Sequence, residues 1–122
     1  MPQQIDASEF EKIQEKMADC IRRLTALAPR VGEARQIKEF ASDQRKNSLA
    51  VEMMKYIKTE SATAAETLAR AEPAYLTRLA EQEKIYADAC ATIAEWEAVM
   101  ARFEACRSLG AMMRETVKTL QG

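Results

Sequence analysis

The sequence predicts an all-α helical bundle with one long C-terminal helix, and three observations lead there. Ala, Glu, Lys, Arg, Met and Leu dominate the chain, and these are good helix formers. Only 3 Gly and 3 Pro punctuate 122 residues, so long uninterrupted elements are expected. Apolar residues recur at alternating steps of three and four, the spacing of a coiled-coil seam. β-branched and aromatic clusters are scarce, which argues against strands. The length suits one domain with a modest core, residues 1–122, with an N-terminal helical part at about 6–70 and an assembly helix at about 73–120.

The first helix opens at Asp6, which can cap it. Glu9 would complete a capping box, and Ile5 and Phe10 are placed for a hydrophobic staple. Phe10, Ile13, Met17, Cys20, Leu24, Leu27 and Val31 follow as a heptad seam. Pro29 and Gly32 are expected to end this helix near Ala28. A second helix is expected from about Glu33 to Lys58, with Ile37, Phe40 and Ala41 starting its apolar stripe. The stretch SDQRKNS, Ser42 to Ser48, is polar on every side, so an exposed segment or a kink is expected there. LAVEMMKYI, Leu49 to Ile57, is apolar almost all round and is expected to be buried. KTESAT then breaks the helix, and Thr63 with Glu66 reads as the capping box of a short helix ending at Arg70.

Pro73 suits the first turn of the last helix. From there to about Leu120 only Gly110 interrupts the pattern. Tyr75, Leu79, Tyr86, Ala89, Ile93, Trp96, Met100 and Phe103 form one stripe. Ala87, Ala91, Ala94, Ala98, Ala101 and Ala105 form a second, centred roughly 150° round the helix. Bulky residues need a partner helix at ordinary separation, whereas alanines let a helix come unusually close. The plainer alternative is that alanine is simply the best helix former for an exposed face. A helix from Pro73 to Ser108 would measure about 54 Å, against a radius of gyration of roughly 14 Å for a compact globule of this length. A second copy is the simplest cover for the overhang, so a coiled-coil-like homo-oligomer is expected, with both stripes in its interface.

The formal net charge of −1 hides two opposite blocks. Residues 22–58 hold 9 basic and 4 acidic side chains, and residues 59–105 hold 4 basic and 9 acidic. Such blocks pair internally, stay solvated, or meet a partner. Arg35, Lys38 and Arg45 share a face opposite Ile37 and Phe40, with Lys46 adjacent. Arg22 and Arg23 lie off the first seam, and Lys55 and Lys58 follow. A row of cations at helical repeat suits phosphates, so these residues are the candidate contacts for single-stranded nucleic acid. Phe40 or Tyr56 would stack a base if exposed, although both sit in apolar stripes and are expected in the core.

Catalytic arrangements are poorly served. With no histidine, the chain lacks Ser-His-Asp and Cys-His nucleophilic sets, His-containing zinc sites and the Glu-x-x-His pairs of di-iron bundles. Its three glycines, at 32, 110 and 122, form no phosphate loop. Glu81/Glu83 and Glu95/Glu97 diverge on a helix and suit a solvated flank better than acid–base work. Cys20, Cys90 and Cys106 make no Cys-x-x-Cys pair and are expected as reduced, mostly buried thiols. Met53, Met54, Met112 and Met113 are expected to fill core space, with adaptable partner recognition as the alternative. No enzymatic activity, metal or cofactor is expected. The opening MPQQIDASEFEK has no secretory pattern and no run approaches a membrane span, so a cytoplasmic protein is expected.

The stretch AEPAYLTRLAEQEKIYADACATIAEWEAVMARFEACRSLGAMMRE resembles small helical accessory proteins of tailed bacteriophages. Pro73, Tyr75, Tyr86, Phe103, Arg107, Ser108 and Leu109 carry the likeness, which covers about a third of the chain. The resemblance implies a setting in phage or prophage DNA metabolism, and a bacterial host cell as the location. It carries over no catalytic residue. A non-enzymatic accessory protein that binds single-stranded nucleic acid is the leading expectation. The alternative is an adaptor or inhibitor that binds a phage or host protein.

Overall fold

The computed structural model describes residues 7–121. They form three helices: α1 (Ala7–Met53), α2 (Ala62–Ala71) and α3 (Pro73–Gln121). No strand occurs among the described residues, so the chain is an all-α bundle with a long C-terminal helix. The expected cap at Asp6 and staple residue Ile5 lie outside the described residues.

The first correction concerns Pro29. α1 does not stop near Ala28 but runs 47 residues, with Pro29 inside it and Gly32 helical. The cause is a single register. Ile13, Cys20, Leu27, Ala34 and Ala41 are buried at steps of seven, with Val31 beside them. A break at Ala28 would take Val31, Ala34 and Ala41 off that line. Pro29 itself is exposed, so the Thr25 carbonyl that loses its backbone donor faces outward. Burial of the seam outweighs the local preference.

The polar stretch after Ala41 keeps the helix and is exposed from Ser42 to Asn47, as expected, although Ser48 is buried. The apolar stretch after it is a second correction. Ala50, Val51, Met54 and Ile57 are exposed, Leu49 and Met53 are half-buried, and the buried member is Glu52. Ser48 and Glu52 continue the line of Ala41, so the apolar neighbours point elsewhere. α1 ends at Met53, short of Lys58, and turns carry the chain to Glu60. The short helix starts two residues earlier than Thr63 suggests: Ser61 is the N-cap, its hydroxyl accepting from the Ala64 amide at 3.2 Å. Glu66 instead accepts from Arg70 at 2.8 Å, an i,i+4 pair. Pro73 begins α3, and Gly110 is accommodated within it.

The chain divides into two compact units. One, Val31–Ile93, contains the end of α1, all of α2 and the start of α3. Here α1 and α3 run antiparallel: Ser48 pairs with Gln82 and Glu52 with Arg78. α2 buries Ala65 and Ala69 completely. The other unit combines the chain up to Arg30 with the chain from Ala94 onward, so its described residues belong to α1 and α3 alone. They too are antiparallel, with Ile13 beside Gly110 and Arg23 near Glu95. Its core is built on Ile13, Cys20, Leu27, Val99 and Cys106. α1 nearly matches the 49 residues of α3, so α3 has an α1 segment beside it in both units.

Candidate nucleic-acid interface

Six of the eight candidate cations belong to the Val31–Ile93 unit: Arg35, Lys38, Arg45, Lys46, Lys55 and Lys58. Arg22 and Arg23 belong to the other. All but Arg23 are exposed residues. Arg22 pairs locally with Asp19 at 3.4 Å, and Arg23 reaches Glu95 at 3.6 Å. Lys55 is held by Glu52 at 2.9 Å. Arg45 Nε donates to the Ala41 carbonyl at 3.4 Å and borders a small hollow of about 60 Å³ with Gln82, Glu83 and Tyr86. Arg35, Lys38, Lys46 and Lys58 make no ion pair among the described residues.

Internal pairing of the two charge blocks is therefore slight. Arg23–Glu95 is the one ion pair, among the described residues, in which a cation of 22–58 meets an acid of 59–105. Arg78 and Glu52 pair in the opposite sense. Glu81, Glu83 and Asp88 are exposed. The basic face of α1 faces solvent rather than the acidic helix.

The aromatics differ from expectation. Phe40 is 56% exposed, not core, because Ala41 takes the buried register position and turns its neighbour outward. At about 100° per residue, Phe40 stands some 120° or more from Arg35 and Lys46. Tyr56 is half-buried, and its hydroxyl donates to Glu72 Oε2 at 2.7 Å, tying the turn after α1 to the junction of α2 and α3. That hydrogen bond, then burial, then the charges of Glu72 and Glu52, raise the phenol above its ordinary 10.0. The folded chain thus holds this proton more tightly than the unfolded chain. Its contribution is complete below pH 10 and is lost as pH rises through the raised value. An ultraviolet titration should show a late phase of phenol ionisation that Tyr56→Phe removes. A late phase that persists unchanged in Tyr56→Phe would rule out the latch.

Glu52 is the chemical feature that sequence reasoning missed. It is 1% exposed, with Lys55 Nζ at 2.9 Å and Arg78 at 3.5 Å. Neither carboxylate oxygen has a hydrogen bond of good geometry. Its position four residues after Ser48, on the seam line, was the available signal. The arrangement is a charge clamp that joins α1, the turn after it and α3. Gln82 is comparable: its amide nitrogen donates to Ser48 Oγ at 2.7 Å while Oε1 is buried without a partner.

The proposed interface residues of α3 separate into two kinds. Leu79, Tyr86, Ile93, Trp96, Met100 and Phe103 are each half-buried within their own unit. Ala87, Ala91, Ala94, Ala98, Ala101 and Ala105 are all exposed. The cysteines are free, with Cys20 and Cys106 buried and Cys90 half-buried. Among the described residues no cluster of three or more His, Cys, Asp or Glu is placed to hold a metal ion, and no helix is long and apolar enough to cross a membrane.

No protein-family model, curated protein or solved structure matches this chain.

Proposed function

We propose that this protein is a non-enzymatic helical accessory protein of phage-type DNA metabolism, which self-associates through α3 and binds single-stranded nucleic acid through the basic face of α1. The observation that carries the nucleic-acid reading is the row Arg35, Lys38 and Lys46 on α1, with Lys58 in the turn after it, all exposed and without ion pairs among the described residues. Cations already neutralised would have little to gain from phosphates; these release counterions and gain affinity. The phage setting comes from the resemblance of α3 alone. Self-association would repeat a weak site and raise avidity.

Fluorescence anisotropy with a single-stranded oligonucleotide at two salt concentrations tests the reading. If the four cations each neutralise a phosphate, the logarithm of the binding constant should fall with the logarithm of salt at a slope of about −3 per protomer. Charge reversal at Arg35, Lys38 and Lys46 together should weaken binding at least tenfold, by the order of about 1.4 kcal/mol or more, with helicity unchanged. Unchanged affinity would refute the site, and no binding at low salt would sink the nucleic-acid reading. That outcome favours the protein adaptor, whose support is the exposed apolar set Val51, Met54, Ile57, Leu68 and Leu76 in the Val31–Ile93 unit.

A further inference from the structure

The two units are not equally complete. In Val31–Ile93, α2 is available as a third helix beside the α1–α3 pair, and it buries two alanines completely. Among the described residues, the unit formed by the two chain ends has only the pair. Two helices bury one stripe each and leave their flanks open. One flank is a groove of about 300 Å³ lined by Phe10, Ile13, Met17, Ile21 and Gly110, with Arg107 and Arg114 at its edge. Ile21 is 51% exposed. A second hollow shares Phe10 and Arg114 and adds Lys118. No acidic residue lines either of them.

We infer that this groove is filled by the α3 helix of a second copy, presented by its alanine face. The inference rests on the self-association proposed above and gives it a direction. Two properties of the chain select the occupant. Gly110 and Ala18 put little side chain into the groove, so a helix can enter it closely if its own facing side chains are small as well. Ala94, Ala98, Ala101 and Ala105 supply such a face, exposed along its whole length in the same unit. The charges are also complementary. The groove carries Arg107 and Arg114, whereas the alanine face is flanked by Glu95, Glu97 and Glu104, with Arg102 as the exception; Arg107 already pairs with Glu104 at 2.7 Å and Glu95 with Arg23 at 3.6 Å, so the complementarity rests on Arg114 and Glu97. Arg114 makes no ion pair among the described residues, nor does Glu97, so this pair is free to form across the contact.

Groove and alanine face lie on opposite sides of α3. At about 100° per residue, Arg107, Gly110 and Arg114 centre roughly 180° from the alanines. One neighbour cannot engage both surfaces of a protomer. The contact is therefore heterologous, and it propagates head to tail until it closes as a ring or continues as a filament.

Light scattering with sedimentation, on the whole chain, tests this with two variants. Ala98→Lys with Ala101→Lys spoils the face using good helix formers at exposed positions. Arg107→Glu with Arg114→Glu reverses the groove. Wild-type mass should rise past a dimer with concentration. Each variant alone should stay monomeric, with helicity unchanged by circular dichroism. Mixed in equal amounts, they should form a 1:1 dimer that grows no further, because one intact groove meets one intact face. Recovery by mixing also proves that both variants are folded. A wild type that stops at a dimer, with variants that fail to combine, overturns the head-to-tail contact and leaves self-association standing. A monomeric wild type at all concentrations overturns both.

Discussion

Replacing Pro29 by alanine is expected to raise the stability of the protein by about 2 kcal/mol. Proline inside a helix costs about 3 kcal/mol, since it removes one backbone hydrogen bond and crowds the preceding turn. Part of that is offset because proline also restricts the unfolded chain, by up to about 1 kcal/mol. Pro29 is exposed, so the substitution touches no core packing. Its neighbours Leu27 and Val31 are buried, and they hold the helix in register whether or not the proline is present. For a chain of this size the gain corresponds to a rise in Tm on the order of 10 °C. Thermal unfolding followed by circular dichroism measures it. An unchanged or lowered Tm would mean that α1 carries no penalty at this point, and that the packing explanation for its continuity is wrong.

Removing the guanidinium of Arg78 is expected to cost about 2–3 kcal/mol. Glu52 is 1% exposed, and its carboxylate then keeps only Lys55. Breaking a buried pair leaves an uncompensated charge, generally a loss of about 3–5 kcal/mol. The lower end applies because Lys55 remains at 2.9 Å. The reverse change should be milder: Glu52→Met leaves Arg78, whose side chain is 41% exposed, free to hydrate. The double variant Glu52→Met with Arg78→Met should recover most of the loss from Arg78→Met alone. Urea unfolding of the four proteins gives the coupling as a double-mutant cycle. If the double variant is as unstable as Arg78→Met, the penalty comes from lost packing rather than from a stranded carboxylate.

Helix content, the start of α3 at Pro73 and the seam from Phe10 to Val31 were legible in the residues, because each rests on spacing over many positions. The continuity of α1 was legible as well, but only if the seven-residue step Leu27, Ala34, Ala41, Ser48 is given more weight than Pro29. Local punctuation and long-range register conflicted there, and register prevailed because it commits many buried side chains against one hydrogen bond. The outward position of Phe40 followed from the same register, which small and polar residues occupy at 41, 48 and 52, whereas Met54 and Ile57 lie in the turns past the end of α1. Hydrophobicity alone placed these large residues in the core. The candidate cations were found from charge and helical spacing. The pairs Asp19–Arg22 and Glu52–Lys55 follow a local i,i+3 spacing, whereas Arg23–Glu95 depends on where α3 falls beside α1.

The two units also differ in how the chain is threaded through them. Val31–Ile93 is one continuous stretch, so its helices meet by closing a short turn. The other unit joins segments that are remote in sequence, such as Ile13 and Gly110. Closing a long loop costs entropy before any contact rewards it, and prior folding of the continuous unit shortens that loop. Assembly should therefore begin at the turn around Tyr56 and proceed toward the chain ends, as a zipper closes. Hydrogen exchange should report this order: amides of the remote segments are expected to open first, and those flanking the turn last. Uniform protection along α1 and α3 would instead indicate that the whole chain folds in one step.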